Sequence, residues 1–385
     1  MIENKKKLKI ALFHPWLKSR GGAEQVILKL ARELNAKIDI YTWIYDPDQT
    51  FEGFKKYKIN IVAPKFTKKL SRLGILRGLF LIFSLFSKIP LEKYDLFLVS
   101  TSGVGEFITF RNYKKGKTYA YVHTPLREAN QNIIKWNLEN KYKNIFSKLF
   151  YLFAVSVYRF FEKISWKRIN HVIFNSELSQ SRARNSNLIK KQREYVVYPP
   201  IDFSTFNKLK NGKNGKYFLY YSRLNLPKRQ DVLLNAWPHF VKMNPAYKLI
   251  IVGNVENKNY FEKLKKLQAQ TKNVEIKTNV PNKEKENLLA NSKGGIFLGY
   301  EEDFGIIPLE IIAAGKPLMA PNEGGYVRLI KGHPLFYELT EKHSNKEMSK
   351  EISKKLDEFT KKRFSFKKKE IKLKNFIEEM EKILK

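Results

Sequence analysis

Short, mostly apolar runs recur along the first half of the chain, separated by polar stretches or by helical patterns. Several of these runs are nearly continuous in Val, Ile, Leu, Phe and Tyr instead of alternating with polar residues. This pattern is typical of strands that are buried on both faces of a parallel sheet. We predict a helix over 24–35 and strands over 8–14, 38–44, 94–100, 118–124, 171–176 and 194–199.

The same pattern restarts in the second half of the chain. The stretch 199–216 is rich in Pro, Gly, Asn and Lys, and we interpret it as a linker and loop. A second set of strands is predicted over 216–223, 248–254, 274–280, 294–300 and 316–321. The chain therefore predicts two doubly wound, parallel α/β domains. Ligands of such sheets bind at the carboxyl ends of strands, so the default site is a cleft between the two facing sheets.

We place an N-terminal domain over 1–200 and a C-terminal domain over 201–365. Residues 366–385 form a further helix, which we expect to pack back toward the N-terminal domain.

The apolar runs 79–86 and 149–158 are too short to span a bilayer, and each fits either a core helix or an interfacial helix. The first residues are basic, but His14 and Pro15 interrupt the apolar run that follows, so no signal peptide is expected.

The composition adds a strong positive charge to this picture. The 385 residues include 73 Lys and Arg against 37 Asp and Glu, a formal net charge of +36. Such a charge favours nucleic acid, anionic lipid or a phosphorylated substrate as partner, although solvated lysine-rich faces are an alternative explanation. There is no cysteine, which excludes disulfides, thiolate metal sites and a cysteine nucleophile.

Two loops that follow first strands contain candidate phosphate ligands. Gly21 and Gly22 precede the first helix, where glycines let backbone N–H groups approach an anion. Arg223 and Lys228 flank a short turn after the strand 216–223, and two cations there suit a diphosphate. A plain turn and a solvated loop are the competing interpretations of the two loops.

Acidic residues surround an apolar helical stretch at 301–317. Pro308 fits the first turn of a helix, Gly315 fits its end, and Glu310 is then expected in the first turn. Glu302 precedes that helix, within reach of a sugar, while Glu310 is suited to bind ribose hydroxyls. Backbone N–H groups around Gly305 to Ile307 would point at phosphate oxygens. The alternative makes both acids structural charges.

At this point the chain resembles the retaining GT-B glycosyltransferases of the large family 4. The resemblance covers most of the chain, and its paired-glutamate block, with Glu302 and Glu310, is the most specific part. The matching stretches, in chain order, are GGAE (21–24), YVHTPLR (121–127), NSELSQ (175–180), VVYPPID (196–202), SRLNLPKR (222–229), IVGN (251–254) and EDFGIIPLEIIAAGKP (302–317). Two departures are Arg328, where the family usually has an acid, and the aromatic, basic stretch 141–169.

The resemblance implies transfer of a sugar from a nucleotide-diphosphate donor with retention and without a metal ion. It implies donor binding on the C-terminal domain and acceptor binding on the N-terminal domain. His123 would contact the donor sugar, Glu302 would lie beside it, and Arg223 and Lys228 would neutralise the leaving diphosphate. The donor-binding residues expected in full are Gly21, Gly22, Arg223, Lys228, Phe304, Gly305, Ile306, Ile307 and Glu310. No cofactor is expected beyond the donor itself.

Residues 61–90 lack acids and combine basic with apolar side chains. Basic residues next to apolar ones make this segment a candidate membrane or acceptor contact, and a core helix with a basic face is the alternative. We therefore expect a cytoplasmic enzyme, peripheral on the inner face of an anionic membrane, with a polyprenyl-linked or other glycan acceptor. The residues assigned to this contact are Lys65, Lys68, Lys69 and Arg72.

Three function classes follow from these observations. The first is a hexosyltransferase, with mannose from GDP-mannose as the first expectation and a UDP-sugar as the second. The second is a sugar-nucleotide epimerase or an inactive GT-B protein. The third is a basic nucleic-acid-binding protein, which rests on net charge alone because no RNP signature, zinc finger or helix-turn-helix is recognisable. We expect no nucleic-acid partner.

Overall fold

The computed structural model describes residues 7–63, 83–211, 215–340, 344–364, 371 and 373–385. The chain divides into two compact units. The first comprises Met1–Pro200 together with Leu373–Lys385, and the second comprises Ile201–Lys372.

The strands and helices alternate along both units, as in other doubly wound proteins. The strands are β1 (Leu8–Phe13), β2 (Trp16–Leu17), β3 (Ala36–Thr42), β4 (Ile44–Tyr45), β5 (Ile59–Ile61), β6 (Leu96–Ser102), β7 (Thr118–Thr124), β8 (His171–Phe174), β9 (Arg193–Val196), β10 (Tyr217–Tyr221), β11 (Lys248–Val252), β12 (Val274–Lys277), β13 (Gly294–Ile296), β14 (Leu318–Pro321) and β15 (Phe336–Leu339). The helices are α1 (Gly22–Glu33), α2 (Gln131–Asn140), α3 (Ile145–Trp166), α4 (Glu177–Asn185), α5 (Phe203–Asn207), α6 (Gln230–Met243), α7 (Lys258–Ala269), α8 (Asn282–Asn291), α9 (Ile306–Ala313), α10 (Val327–Ile330), α11 (Asn345–Lys361) and α12 (Phe376–Leu384).

The first unit is built on a parallel seven-stranded sheet in the order β5-β3-β1-β6-β7-β8-β9. The chain winds outward from β1 in one direction, then returns and continues from β6 in the other. The carboxyl ends of β1 and β6 therefore mark the point where the winding reverses, which is where α/β sheets bind ligands. β1 and β6 are buried along most of their length, because helices cover both faces of the sheet.

The second unit repeats this plan with a parallel six-stranded sheet in the order β12-β11-β10-β13-β14-β15. Its winding reverses between β10 and β13. Its core joins the sheet to α6 and α11, and Trp237 and Phe240 are fully buried in that core. Two loops, one after β10 and one after β13, thus leave neighbouring strands side by side.

Helix α12 belongs to the first unit although it follows the second along the chain. Its side chains Phe376, Met380 and Leu384 are buried in the core formed by β1, β3, β6 and α1. The ring of Phe376 packs edge-on against Tyr121, with ring centres 5.8 Å apart.

The sequence-based fold class is confirmed, and each predicted strand overlaps an observed one. Three short strands, β2, β5 and β15, were not predicted. The interpretation of 199–216 as linker and loop was wrong in part, because α5 lies within it. Asp202 caps this helix by accepting hydrogen bonds from the backbone N–H groups of Ser204 and Thr205.

Candidate active site

The loops after β10 and β13 bring Lys228 and Glu302 into contact. The ammonium Nζ of Lys228 donates to the carboxylate Oε2 of Glu302. The Lys228 side chain is 8% exposed and that of Glu302 is 22% exposed, so this ion pair is largely withdrawn from water. Sequence reasoning assigned both residues to the donor, and the structure places them together at the point where the winding reverses.

Arg223 lies earlier in the loop after β10 and faces a different acid. Its Nη1 is 2.9 Å from Oε1 of Glu256, and its side chain is 63% exposed. Exposed pairs of this kind contribute only about 0–1 kcal/mol to stability. In this state Arg223 and Lys228 thus contact separate carboxylates, and the Arg223 pair is weak enough for an anion to replace it.

Helix α9 begins immediately after Gly305. Gly305 adopts a left-handed backbone with φ of +85°, and a Cβ there would lie 2.4 Å from Cδ1 of Tyr326. Only glycine therefore fits this position without displacing the tyrosine. The N–H groups of Ile306 and Ile307 lie in the first turn, where backbone donors have no partner within the helix. Phe304 is buried, so its side chain packs in the protein interior.

The expected place of Glu310 in the first turn was wrong. The helix begins at Ile306, before Pro308, so Glu310 falls in the second turn. Its Oε2 accepts a hydrogen bond of 2.7 Å from the hydroxyl of Tyr221, the last residue of β10. Burial raises the pKa of Glu310 above its ordinary value, and the Tyr221 hydrogen bond opposes that rise. Gly315 ends the helix with φ of +69°, as predicted.

Arg229 is a buried residue that holds the loops of the site together, and it was not predicted from the sequence. Its side chain is fully buried, with the guanidinium 4.3 Å from the ring centre of Tyr300. Its Nη1 is 3.4 Å from Oε1 of Glu323, which also accepts from the backbone N–H of Glu301. The loops after β10, β13 and β14 are therefore joined. In the sequence, Arg229 resembles a second surface cation next to Lys228, and no pattern distinguishes the two.

The glycine-rich loop after β14 is fastened to the acidic loop through the backbone. The N–H of Gly325 donates to the carbonyl of Glu302 at 2.9 Å. Arg328, the departure from the family pattern, lies on α10 with an exposed side chain.

The first unit holds a second cluster, at the carboxyl ends of β1, β6 and β7. Oγ of Ser100 is 2.9 Å from Nδ1 of His14 and 2.9 Å from Nε2 of His123. His14 is fully buried, and within the described part of the chain its Nε2 has no hydrogen-bond partner. Burial lowers the pKa of His14 well below its ordinary value and that of His123 to about 3. Both imidazoles are therefore neutral near pH 7, and a neutral ring can both donate and accept.

The glycine pair opens helix α1 as predicted, but a carboxylate already lies in the first turn. Gly21 is the residue before the helix and Gly22 is its first residue. Glu24 is buried there and accepts a hydrogen bond from the hydroxyl of Ser19. The carboxylate of Glu24 already interacts with the partial positive charge of the helix N-terminus, which is the charge that a phosphate would bind. This geometry weakens the donor assignment of Gly21 and Gly22.

Two buried acids lie near the loop that follows β7. Glu106 and Glu162 are 0% and 1% exposed. Glu106 accepts from the hydroxyl of Thr101, and Glu162 accepts from the backbone N–H of Leu126 at 2.8 Å. Burial raises the pKa of both, and the charge of Glu106 raises that of Glu162 further. Glu162 thus joins helix α3 to the loop after β7, and Glu106 is held at the end of β6.

Three further findings concern metal ions and membranes. Across the described ranges, no three His, Cys, Asp or Glu side chains come together as metal ligands would. In the same ranges, no helix combines the length and apolar character needed to cross a bilayer. The predicted membrane contact Lys65, Lys68, Lys69 and Arg72 lies outside the described residues.

Comparisons with known proteins agree with this architecture. The model for glycosyltransferase family 4 matches residues 20–205, and the model for glycosyl transferases group 1 matches residues 202–377. The chain is 26% identical to the alpha-1,3/1,6-mannosyltransferase ALG2 of Dictyostelium discoideum, over 84% of each chain. It is 24% identical to the human GDP-Man:Man(3)GlcNAc(2)-PP-Dol alpha-1,2-mannosyltransferase, over 83% of this chain and 74% of the human protein.

A solved structure shares the fold. Anabaena HepE, crystallised with UDP and glucose, superposes with a TM-score of 0.60 at 17% identity, over 91% of this chain and 90% of HepE. The two family models follow each other along 20–377 and correspond to the two doubly wound units. The chain therefore belongs to the GT-B glycosyltransferases that combine a family 4 domain with a group 1 domain.

Proposed function

We propose that the protein is a retaining, metal-independent hexosyltransferase that moves mannose from GDP-mannose to a glycan or lipid-linked acceptor. The observation that carries this proposal is the contact of Lys228 with Glu302 at the reversal of the second sheet, beside helix α9. Mannose is favoured because the relatives named above are mannosyltransferases and one of them names GDP-mannose as donor. A UDP-sugar is the competing donor, since HepE binds UDP.

In this proposal the cations bind the diphosphate of the donor. Arg223 exchanges its exposed contact with Glu256 for a phosphate oxygen, and Lys228 stabilises the charge that develops on the leaving group. Stabilising such charge is commonly the largest catalytic contribution, and fixed side-chain cations can supply it where other enzymes use a metal ion. The N–H groups of Ile306 and Ile307 add donors at a helix start.

The remaining site residues orient the sugar and the ribose. Glu310, held by Tyr221, accepts from ribose hydroxyls, and Glu302 lies on the sugar side of the diphosphate. His123 is neutral, and because its Nε2 is bonded to Ser100, its Nδ1 is the atom left for a hydrogen bond with a sugar hydroxyl. In the front-face route, the bond from the anomeric carbon to the phosphate oxygen breaks as the acceptor oxygen bonds to that carbon. The acceptor proton passes to the departing diphosphate.

We assign acceptor binding to the first unit and propose an anionic membrane surface as the place of action. A lipid-linked acceptor would be reached there, and the net charge of +36 favours such a surface. The name of the human relative includes a -PP-Dol acceptor, which fits this class.

A donor-hydrolysis screen tests the function. Purified full-length protein is incubated with GDP-mannose, UDP-glucose, UDP-galactose or UDP-N-acetylglucosamine, with and without EDTA, and the released nucleotide and the anomer of the sugar are measured. We expect GDP release from GDP-mannose, unaffected by EDTA, with the α-anomer as first product. Loss of activity on chelation would overturn metal independence, and inversion of the anomer would overturn retention.

Two controls separate the competing function classes. Formation of a new sugar nucleotide without release of nucleotide diphosphate would identify an epimerase, and no turnover of any donor would favour an inactive protein. A thermal-shift panel compares nucleotide diphosphates with oligonucleotides, because a ligand that binds the folded state raises its melting temperature. Stabilisation by oligonucleotides alone would contradict a glycosyltransferase site.

A further inference from the structure

Helix α3 is apolar on two opposite faces, and the described parts of the chain cover only one of them. Its inner face buries Tyr151, Val155 and Trp166 against the rest of the first unit. Each side chain on the outer face lies three, four or seven residues from another one, which aligns them in one stripe along the helix. This outer stripe comprises Phe146 (81% exposed), Leu149 (57%), Phe150 (74%), Phe153 (67%) and Phe160 (62%).

A contiguous stripe of exposed apolar side chains is unusual on a helix that faces water. Helices that are apolar all round are normally buried, and large contiguous apolar patches mark interaction sites. Thirteen large apolar side chains are more than one-third exposed in the described part of the chain, and seven of them lie on α3. The exposed apolar surface is therefore concentrated on one helix.

The charges around α3 indicate which partner covers the stripe. Between 141 and 168 the chain has seven cations and a single acid, Glu162, which is buried. The cations are Lys141, Lys143, Lys148, Arg159, Lys163, Lys167 and Arg168. A second copy of this chain would bring the same cations face to face, on a protein of net charge +36. An anionic partner with an apolar interior avoids this repulsion.

We propose that the outer face of α3 is the docking surface for an anionic lipid bilayer. The phenylalanines and Leu149 enter the boundary between headgroups and acyl chains, and the flanking lysines reach the lipid phosphates. The helix lies in the membrane plane. This inference specifies the membrane partner proposed above and rests on that part of the proposed function, but it does not depend on the donor or on the sugar.

The absence of cysteine allows a direct test with single labelled positions. Full-length F146C, F150C and F153C variants are labelled with an environment-sensitive fluorophore, and M243C serves as the matched control. Met243 is 54% exposed and lies at the end of α6 in the second unit. Each protein is mixed with vesicles of phosphatidylglycerol and phosphatidylcholine in equal parts, or of phosphatidylcholine alone.

We expect a blue shift and brighter emission at the three α3 positions with anionic vesicles, and no change at position 243. The triple variant Phe146→Ser, Phe150→Ser, Phe153→Ser should bind these vesicles on the order of tenfold or more weakly, because it buries less apolar area. Its hydrolysis of soluble donor, measured without vesicles, should stay unchanged, which separates failure of docking from failure of the enzyme.

Three outcomes would overturn the proposal. The first is vesicle binding while all three α3 probes stay in a water-like environment. The second is an equal spectral change in vesicle-free protein as its concentration rises, which would assign the stripe to a second copy of the chain. The third is a triple variant that co-sediments with anionic vesicles as the wild type does.

Discussion

Nζ of Lys228 donates to Oε2 of Glu302, so the two loops that flank the reversal of the second sheet are joined by an ion pair before any donor is bound. The pair places a cation where a diphosphate is expected, in a position with little access to water. It also means that the two residues cannot be varied independently without a cost in stability.

Lys228→Ala should therefore lower both transfer and stability. It leaves the Glu302 carboxylate in a largely buried position without its cation, at a cost of about 1–3 kcal/mol. The double variant Lys228→Met, Glu302→Gln should recover most of the thermal stability but none of the turnover. Thermal unfolding and donor hydrolysis measured on the same samples check this. Recovery of turnover in the double variant would show that Lys228 does not stabilise the leaving diphosphate.

Arg223→Ala should lower turnover with little change in stability. The contact of Arg223 with Glu256 is exposed, so removing it changes the free energy of unfolding by less than about 1 kcal/mol. A lost charge-assisted contact to phosphate is worth about 1.5–3 kcal/mol, or roughly tenfold to a hundredfold in kcat/KM. Glu256→Gln is the matched control, because it removes the negative charge of the partner but keeps the cation. Equal losses in the two variants would contradict the assignment.

Glu310→Gln should weaken binding of the nucleotide diphosphate, whereas Glu302→Gln should mainly lower turnover. Glu310 is held by Tyr221 at the end of β10, and an amide replaces one of its acceptor oxygens with a donor. Isothermal titration with GDP measures the difference. Tyr221→Phe is the control, since it removes only the hydroxyl that orients Glu310 and should weaken binding less. The division of roles is wrong if Glu302→Gln loses as much GDP affinity as Glu310→Gln.

Ser100→Ala should lower turnover by roughly tenfold or more while leaving GDP affinity unchanged, because small misplacements of a substrate contact are costly. The Ser100 hydroxyl is the shared partner of His14 and His123, and alanine leaves both rings unanchored. Ser100→Thr keeps a hydroxyl and should restore activity. Since the pKa of His123 is lowered to about 3, we also expect no step in the rate between pH 5 and 8 from this ring. A step near pH 6.5 that disappears in His123→Gln would contradict its neutrality.

The buried acids predict how stability depends on pH. Burial raises the pKa of Glu106 to about 7 and that of Glu162 to about 8, while the unfolded chain has the ordinary value of 4.5. Folding therefore favours the protonated forms, and stability is lost as pH rises from about 4.5 through 8. Glu162→Gln keeps an acceptor for the N–H of Leu126 and should flatten this loss. Chemical unfolding at pH 5 and pH 8 measures the loss of stability. An equal loss in the wild type and in Glu162→Gln would contradict a raised pKa of Glu162.

The parallel strands were predictable because a strand that is buried on both faces requires a continuous run of apolar residues. β5 and β15 escaped because they are short edge strands that are only partly buried, so their residues carry a weaker signal. Helix α3 left two interpretations open for a physical reason. It is apolar on both faces, and periodicity cannot say which face is covered.

The candidate site was predictable as a set of loops and not as a network of contacts. The order of Arg223, Lys228, Glu302 and Glu310 along the chain indicated where charges follow strands. It did not show that Lys228 would pair with Glu302 or that Gly305 would start the helix early. His14 and Ser100 reach His123 only because β1, β6 and β7 are neighbours in the sheet, and that adjacency is set by the winding of the whole unit.

The return of α12 to the first unit also determines how the protein can be divided into fragments. The second unit is one uninterrupted stretch, but the first is assembled from two pieces of chain that lie on either side of it. A fragment that stops at residue 200 would lack Phe376, Met380 and Leu384, and the core side chains that pack against them would be exposed to water. In genetic terms the second unit is an insertion into the first, and a continuous gene for the first unit alone would need its last helix rejoined through a designed linker.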